Sequence, residues 1–476
     1  MSPKTEGRGW LFRPAIAALT LFAIAPLASA QVLVHPGWAR SHSAAEPWYK
    51  RAVFYEIGHP IERGSTCRTN EGAPALCGNL GQVDFKPLAD QLDAMQSTGI
   101  DAIIVKPPAL PSLSGASAEQ AIAAQSALDA FDDFTRQATA RGIRVLVDIE
   151  AAHADADLAG RARFWLTRGV AGLRLELLRD ISPQERDAIS ASARSAAASI
   201  AGQRIVLIDT PGAAPATAPL SPRPAAARRS SHAAAEAAPQ LEVLTLSGPL
   251  TAASLRPVLA QALSAPDKLL DTHPTADTPD GAHLADVLAT IALVTGPSAL
   301  LDPVQPLQLP ATQPRIEPED DSVKPPAPPI PQQPPPGVYL PYVPYVPPPR
   351  PQKKAAPPPP APADPFTVWI GKLAALHHSN QALRTGSKTL LDFDAQNTLV
   401  WVARPSSPTP QNPPVVVLCN LSAQPVQLSL AEAVKKLNLH GFFLRTLLRS
   451  DSALGAQDLE AVKLPPYGVF IGELRR

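Results

Sequence analysis

Cysteine is scarce, with three residues at positions 67, 77 and 419 of a 476-residue chain, and no cluster of histidines accompanies them. A structural zinc site, which needs four closely spaced sulfur and nitrogen ligands, is therefore not composed by this sequence. An excess of either charge is also missing. Lys and Arg total 42, Asp and Glu total 42, and the net charge is +0. Without a surplus of positive charge there is no field to gather nucleic acid or an anionic membrane, so polyanion binding is disfavoured. Apolar runs stay below the ~20 residues of a transmembrane helix, so no membrane span is expected in the mature protein. Charged residues make up 18% and hydrophobic residues 45% of the chain, which excludes a mostly disordered protein. What is abundant is proline, 57 residues in all. Proline lacks the backbone donor that helices and sheets use, so such an excess has to be concentrated outside them.

The N-terminus places Lys4, Arg8 and Arg13 before an apolar run from Ala15 to Leu27, followed by Ala28-Ser29-Ala30. That order reads as a secretory signal peptide over 1–30, and the expected destination is the periplasm or the exterior. Export permits disulfides, and Cys67 and Cys77 lie in a Gly/Pro/Asn-containing stretch that reads as a loop. A small staple between them and a pair of unlinked thiols both remain open. Cys419 ends the run Val415–Leu418, where it reads as a small hydrophobe in a buried strand.

From residue 50 onward, short β-branched runs alternate with helical patterns. Strands are expected at 52–57, 102–105, 143–149, 172–178, 204–208, 241–246, 269–272 and 298–301, separated mostly by helices. Eight such units over roughly 250 residues are the size of a (β/α)8 TIM barrel, expected here over 31–302. The competitor, a doubly wound open sheet, usually carries a Gly-rich phosphate loop after its first strand, and none is present. Residues 211–240 read as a long Ala/Pro/Ser-rich loop. Residues 303–364 hold most of the missing prolines, including Pro334–Pro336 and Pro357–Pro360, interleaved with Tyr339, Tyr342 and Tyr345. This insertion reads as extended polyproline II, either a stiff linker or a ligand for a protein partner. A last barrel helix is expected over 365–386, and short strands over 387–476 read as a small all-β sandwich domain.

Several blocks in this order resemble the α-amylase family of glycoside hydrolases, family thirteen. Trp48–Ile57 is similar to the family's first barrel strand, and Asp93–Ile103 to the stretch entering the second. Gly142–Asp148 resembles its third-strand motif, and Phe164–Glu176 the approach to its nucleophile. Leu373–Leu383 and Leu464–Gly468 are similar to the last barrel helix and the C-terminal β-domain. The resemblance implies a barrel with its site at the C-terminal strand ends, and an α-glucan or oligosaccharide as the ligand.

The resemblance also implies site residues. Arg174 matches the family's fourth-strand arginine; Glu176 stands where the family has its nucleophilic Asp, and Asp209 where it has its acid Glu. The carboxylates are exchanged in length, a shift of about 1.5 Å for each. Asp148, His153 and His273 match sugar-contacting positions, whereas Pro274 replaces the third carboxylate. Ala152 replaces an Asn that ligates calcium in some members, so neither a metal ion nor a cofactor is expected. The short stretch after His153 also leaves out the family's third-loop subdomain.

Each residue has a bland reading too. Asp148 can accept structural hydrogen bonds, Arg174 and Glu176 can form an internal ion pair, and Asp209 can serve the following turn. Three functions therefore stand side by side: a retaining α-glycosidase or transglycosidase using Glu176 and Asp209, a non-catalytic sugar-binding relative, and an interaction protein acting through its proline-rich segment.

Overall fold

The computed structural model describes residues 47–57, 84–108, 117–151, 156–177, 181–209, 238–245, 250–272, 283–302, 307, 309, 364–392, 397–451, 453 and 455–476. The signal sequence, Cys67, Cys77, His153, His273 and nearly all of the proline-rich insertion lie outside these residues. Contacts gather Glu46–Arg476 into one compact unit, to which all of the described residues belong.

Eight parallel strands form the first sheet: β1 (Val53–Ile57), β2 (Ala102–Val105), β3 (Arg144–Ala151), β4 (Gly172–Leu177), β5 (Ile205–Asp209), β6 (Gln240–Thr245), β7 (Lys268–Asp271) and β8 (Ala299–Leu301). Their order is β7-β6-β5-β4-β3-β2-β1-β8, and contacts between β7 and β8 bring the two ends of the sheet together. Helices α1 (Phe85–Ala89), α2 (Leu92–Thr98), α3 (Ala118–Ala140), α4 (Ala156–Thr167), α5 (Pro183–Ala198), α6 (Ala252–Ser264), α7 (Ala285–Thr295), α8 (Pro365–Ser379) and α9 (Gln381–Thr385) follow the strands other than β5, after which residues 210–237 lie outside the described ones. The result is the expected (β/α)8 barrel. The boundaries lie within a few residues of those read from periodicity.

Local chemistry sets several of these boundaries. Ser117 and Gln120 form a reciprocal capping box at the start of α3. Ser182 accepts a hydrogen bond from the Glu185 amide, and Pro183 occupies the first turn of α5, where its missing donor costs nothing. Asp364 caps α8 in the same way, receiving the Thr367 amide at 3.1 Å. Gly99 ends α2 at φ 92°, and a Cβ there would lie 2.9 Å from that of Ala374 in α8. Only glycine meets both demands.

Alternation along the strands divides the barrel in two. One set of positions, such as Val145, Val147 and Ile149, faces the helices and joins the large apolar cluster. The alternate positions, such as Phe54, Ile104, Leu146, Leu207, Val243 and Leu300, fill the interior as a second cluster. Trp48 and Tyr49, on a 3-10 turn before β1, pack against that cluster. The Arg144 guanidinium lies 4.6 Å above the Trp48 ring.

The C-terminal part is all but wholly β. Strands β9 (Ser387–Leu390), β10 (Thr398–Arg404), β11 (Val415–Asn420), β13 (Phe443–Arg449), β14 (Gln457–Asp458) and β16 (Val469–Arg475) form an antiparallel sheet in the order β14-β13-β16-β11-β10-β9. One face, with Val400, Val416, Leu418 and Phe470, packs under the β12 (Val426–Leu428) and β15 (Val462–Leu464) ribbon and helix α10 (Ala431–Lys436). The other face, with Leu399, Trp401, Val417 and Cys419, belongs to the barrel's outer cluster. Strand β11 is buried on both sides, which explains its unbroken apolar run. Cys419 is fully buried there, and burial pushes its thiol well above its ordinary range, as suits a packing residue.

Candidate active site at the C-terminal strand ends

Two residues after an inward apolar side chain, most barrel strands place a polar one. Phe54 is followed by Glu56, Ile104 by Lys106, Leu146 by Asp148, Leu207 by Asp209, Val243 by Thr245, Leu269 by Asp271 and Leu300 by Asp302. In β4 the pair is Gly172 and Arg174. Because the strands are parallel, these side chains all lie above the apolar interior, at the C-terminal ends of their strands.

Arg174 is the hub of this tier and is 0% exposed. Its Nη1 donates to Glu56 Oε1 and its Nη2 donates to Asp209 Oδ2 at 2.6 Å. The Thr245 hydroxyl donates to the other Asp209 oxygen at 3.0 Å. Burial by itself would depress the guanidinium's pKa; Glu56, Asp148, Asp209 and Asp271 overcome that and raise it well above the ordinary value. Burial also lifts Glu56 well above the carboxylate range, against the opposing pull of Arg174.

Asp148 lies opposite Arg174 in the β3–β4 register. It is 8% exposed, and its Oδ1 has no hydrogen-bond partner among the described residues. Burial pushes its pKa up to about 6; Arg174 opposes the shift, Glu176 adds to it, Lys106 opposes it and Asp209 adds to it. Glu176 occupies the next inward position on β4, half-buried and in register with Glu150 on one side and Asp209 on the other. Lys106 approaches Glu150 at 4.0 Å at the rim.

The structure thus brings together Asp148, Arg174, Glu176 and Asp209 from the sequence reading. The internal ion pair exists, but Arg174 pairs with Glu56 and Asp209 rather than with Glu176. Asp209 has both oxygens engaged inside the barrel rather than only in a local turn. Glu56, Lys106, Thr245, Asp271 and Asp302 were not singled out as site residues from sequence, although each is the last inward residue at the end of its strand. An apolar residue, any residue and then a polar one at a strand's end is the signal that marks them. Among the described residues, no group of three or more His, Cys, Asp or Glu is arranged to hold a metal ion. Nor is any helix of those residues long and apolar enough to cross a membrane. Between β3 and α4 only residues 152–155 intervene, which leaves no length for a third-loop subdomain.

A (β/α)8 barrel with an ionic tier at its C-terminal mouth, followed by an antiparallel β-domain, is the architecture that the resemblance to the α-amylase family implies. Among solved structures, the chain shares this fold with trehalulose synthase MutB from Pseudomonas mesoacidophila MX-45, at 14% identity and a TM-score of 0.52, with 90% of this chain and 100% of that one covered. A MutB variant in complex with the substrate sucrose matches with the same identity, coverage and TM-score. A variant in complex with glucose matches at 14% identity and a TM-score of 0.53, with the same coverage. At this identity the likeness is one of fold. No protein-family model matches the sequence, and no curated protein matches it.

Proposed function

We propose that this protein is a carbohydrate-active relative of the α-amylase type, taking an α-glucosidic oligosaccharide or glucan end at the C-terminal mouth of its barrel. The observation that carries the reading is the ionic tier, with Glu176 above it, at the end of the barrel where α/β-barrel enzymes keep their sites. The shared fold with an enzyme solved with sucrose and with glucose supports the same ligand class. Glu176 is the carboxylate placed for attack at an anomeric carbon, because it projects beyond the tier and is only half-buried. Arg174, held by Glu56 and Asp209, supplies a fixed positive charge beneath it. The N-terminal signal pattern supports export, so the ligand is met in the periplasm or outside the cell.

A second reading, sugar binding without turnover, is favoured by one observation: both oxygens of Asp209, the residue aligned with the family's acid, are already engaged. The test is an assay of the mature protein with an activated aryl α-glucoside, sucrose and maltooligosaccharides, alongside Glu176→Gln. Turnover that falls at least a hundredfold in the variant supports catalysis. Saturable sugar binding with no turnover in either protein supports the second reading, and absence of both binding and turnover overturns the two together.

A further inference from the structure

A glycosidase needs two carboxyl groups with different duties. One stays ionised and attacks; the other holds a proton and passes it to the departing oxygen. Asp209 is poorly placed for the second duty. One of its oxygens takes the Arg174 guanidinium at 2.6 Å and the other takes the Thr245 hydroxyl at 3.0 Å. With both oxygens engaged inside the barrel, neither is free to turn toward a substrate.

Asp148 differs on each count. It shares the inner face of the barrel with Glu176, one strand away and one inward position deeper. It is more than nine-tenths buried, yet no described residue bonds its Oδ1. A buried carboxyl oxygen without a partner is uncommon and calls for an explanation in a proton or a ligand. The charged groups that act on it are Arg174 and Glu176 from β4, Lys106 following β2, Glu56 from β1 and Asp209 from β5. Burial in this company holds its proton to about pH 6, where an ordinary Asp has lost it.

We infer that Asp148, rather than Asp209, is the carboxyl that gives its proton to the leaving glycosidic oxygen while Glu176 attacks. This rests on the glycoside reading above. In the first step a Glu176 oxygen bonds to the anomeric carbon. The bond from that carbon to the leaving oxygen breaks, and the electron pair left on the oxygen takes the Asp148 proton. A glycosyl ester on Glu176 and an ionised Asp148 remain. In the second step water attacks the same carbon, its proton passes to Asp148, and the ester bond breaks to restore the Glu176 carboxylate. Asp209 and Glu56 then serve as positioning residues that hold Arg174.

The test separates leaving groups that need a proton from one that does not. Wild type, Asp148→Asn, Asp209→Asn and Glu176→Gln are assayed with maltose and with α-glucosyl fluoride, and circular dichroism verifies that each is folded. For Asp148→Asn the expected result is a loss of about 10²–10⁴-fold on maltose, with the first turnover of the fluoride retained and azide restoring steady turnover as glucosyl azide. Glu176→Gln is expected to lose both substrates. Equal losses on the two substrates in Asp148→Asn, or the leaving-group split and azide rescue appearing in Asp209→Asn instead, overturn the inference and leave the glycosidase reading standing. A wild type inert toward the fluoride, or a fully active Glu176→Gln, overturns the glycosidase reading and this inference with it.

Discussion

Asp148 shows how a single carboxyl links stability to pH. Its folded pKa, about 6, lies above the ordinary Asp value of 3.8, so between these limits the folded state binds more protons than the unfolded chain. Stability from this group therefore falls as pH rises from 4 through 6 and levels off above. Replacing Asp148 with Asn removes the term. We expect Asp148→Asn to gain about 2–3 kcal/mol relative to wild type at pH 7.5 and close to nothing at pH 4, as read from urea denaturation at the two values. A gain that is the same at both values would show that the ionised carboxyl is not what destabilises the fold. At this scale the sequence was legible where motifs placed a residue: Arg174, Glu176, Asp148 and Asp209 do converge. Partner choice was not legible. Spacing puts Arg174 and Glu176 on one face of a strand, but only closure of the sheet brings Glu56, from a strand 118 residues earlier, within reach of the guanidinium.

Individual strands owe their positions to close backbone approach as much as to apolar pattern. Gly172 opens β4, and a Cβ there would meet the Ile205 carbonyl oxygen of β5 at 2.5 Å. Gly172→Ala must therefore push the two strands apart, and we expect a loss of about 1–3 kcal/mol in denaturation midpoint analysis. An unchanged midpoint would mean that β5 can yield without cost. All eight barrel strands were legible, because each is a short apolar run between helical patterns. The elements that escaped were β12, β14, β15 and α10, which have three, two, three and six residues. Segments this short carry too few turns of any period to be told from loops, and their places are set by packing on the β-sheet.

On the scale of the whole molecule, the barrel and the β-domain are not independent. Leu399, Trp401, Val417, Cys419 and Ile471 share one apolar cluster with the barrel helices, and Arg256 of α6 donates to the Leu391 carbonyl at 2.7 Å. Removing either part would expose the face that the other covers. We expect a single cooperative thermal transition with equal calorimetric and van't Hoff enthalpies, observed by scanning calorimetry. Two resolved transitions would show that the shared cluster does not couple them.

The Arg174 contacts also set which substitutions the chain can tolerate one at a time. Removing the arginine strands two buried carboxylates; removing either carboxylate leaves its partners short of charge balance. No one of the three can drift alone without a large penalty, whereas the half-exposed positions around the rim are under no such mutual constraint. Single substitutions at the rim are therefore expected to cost little, and single substitutions in the ionic knot a great deal. Arg174, Glu56 and Asp209 thus stand or fall as one unit.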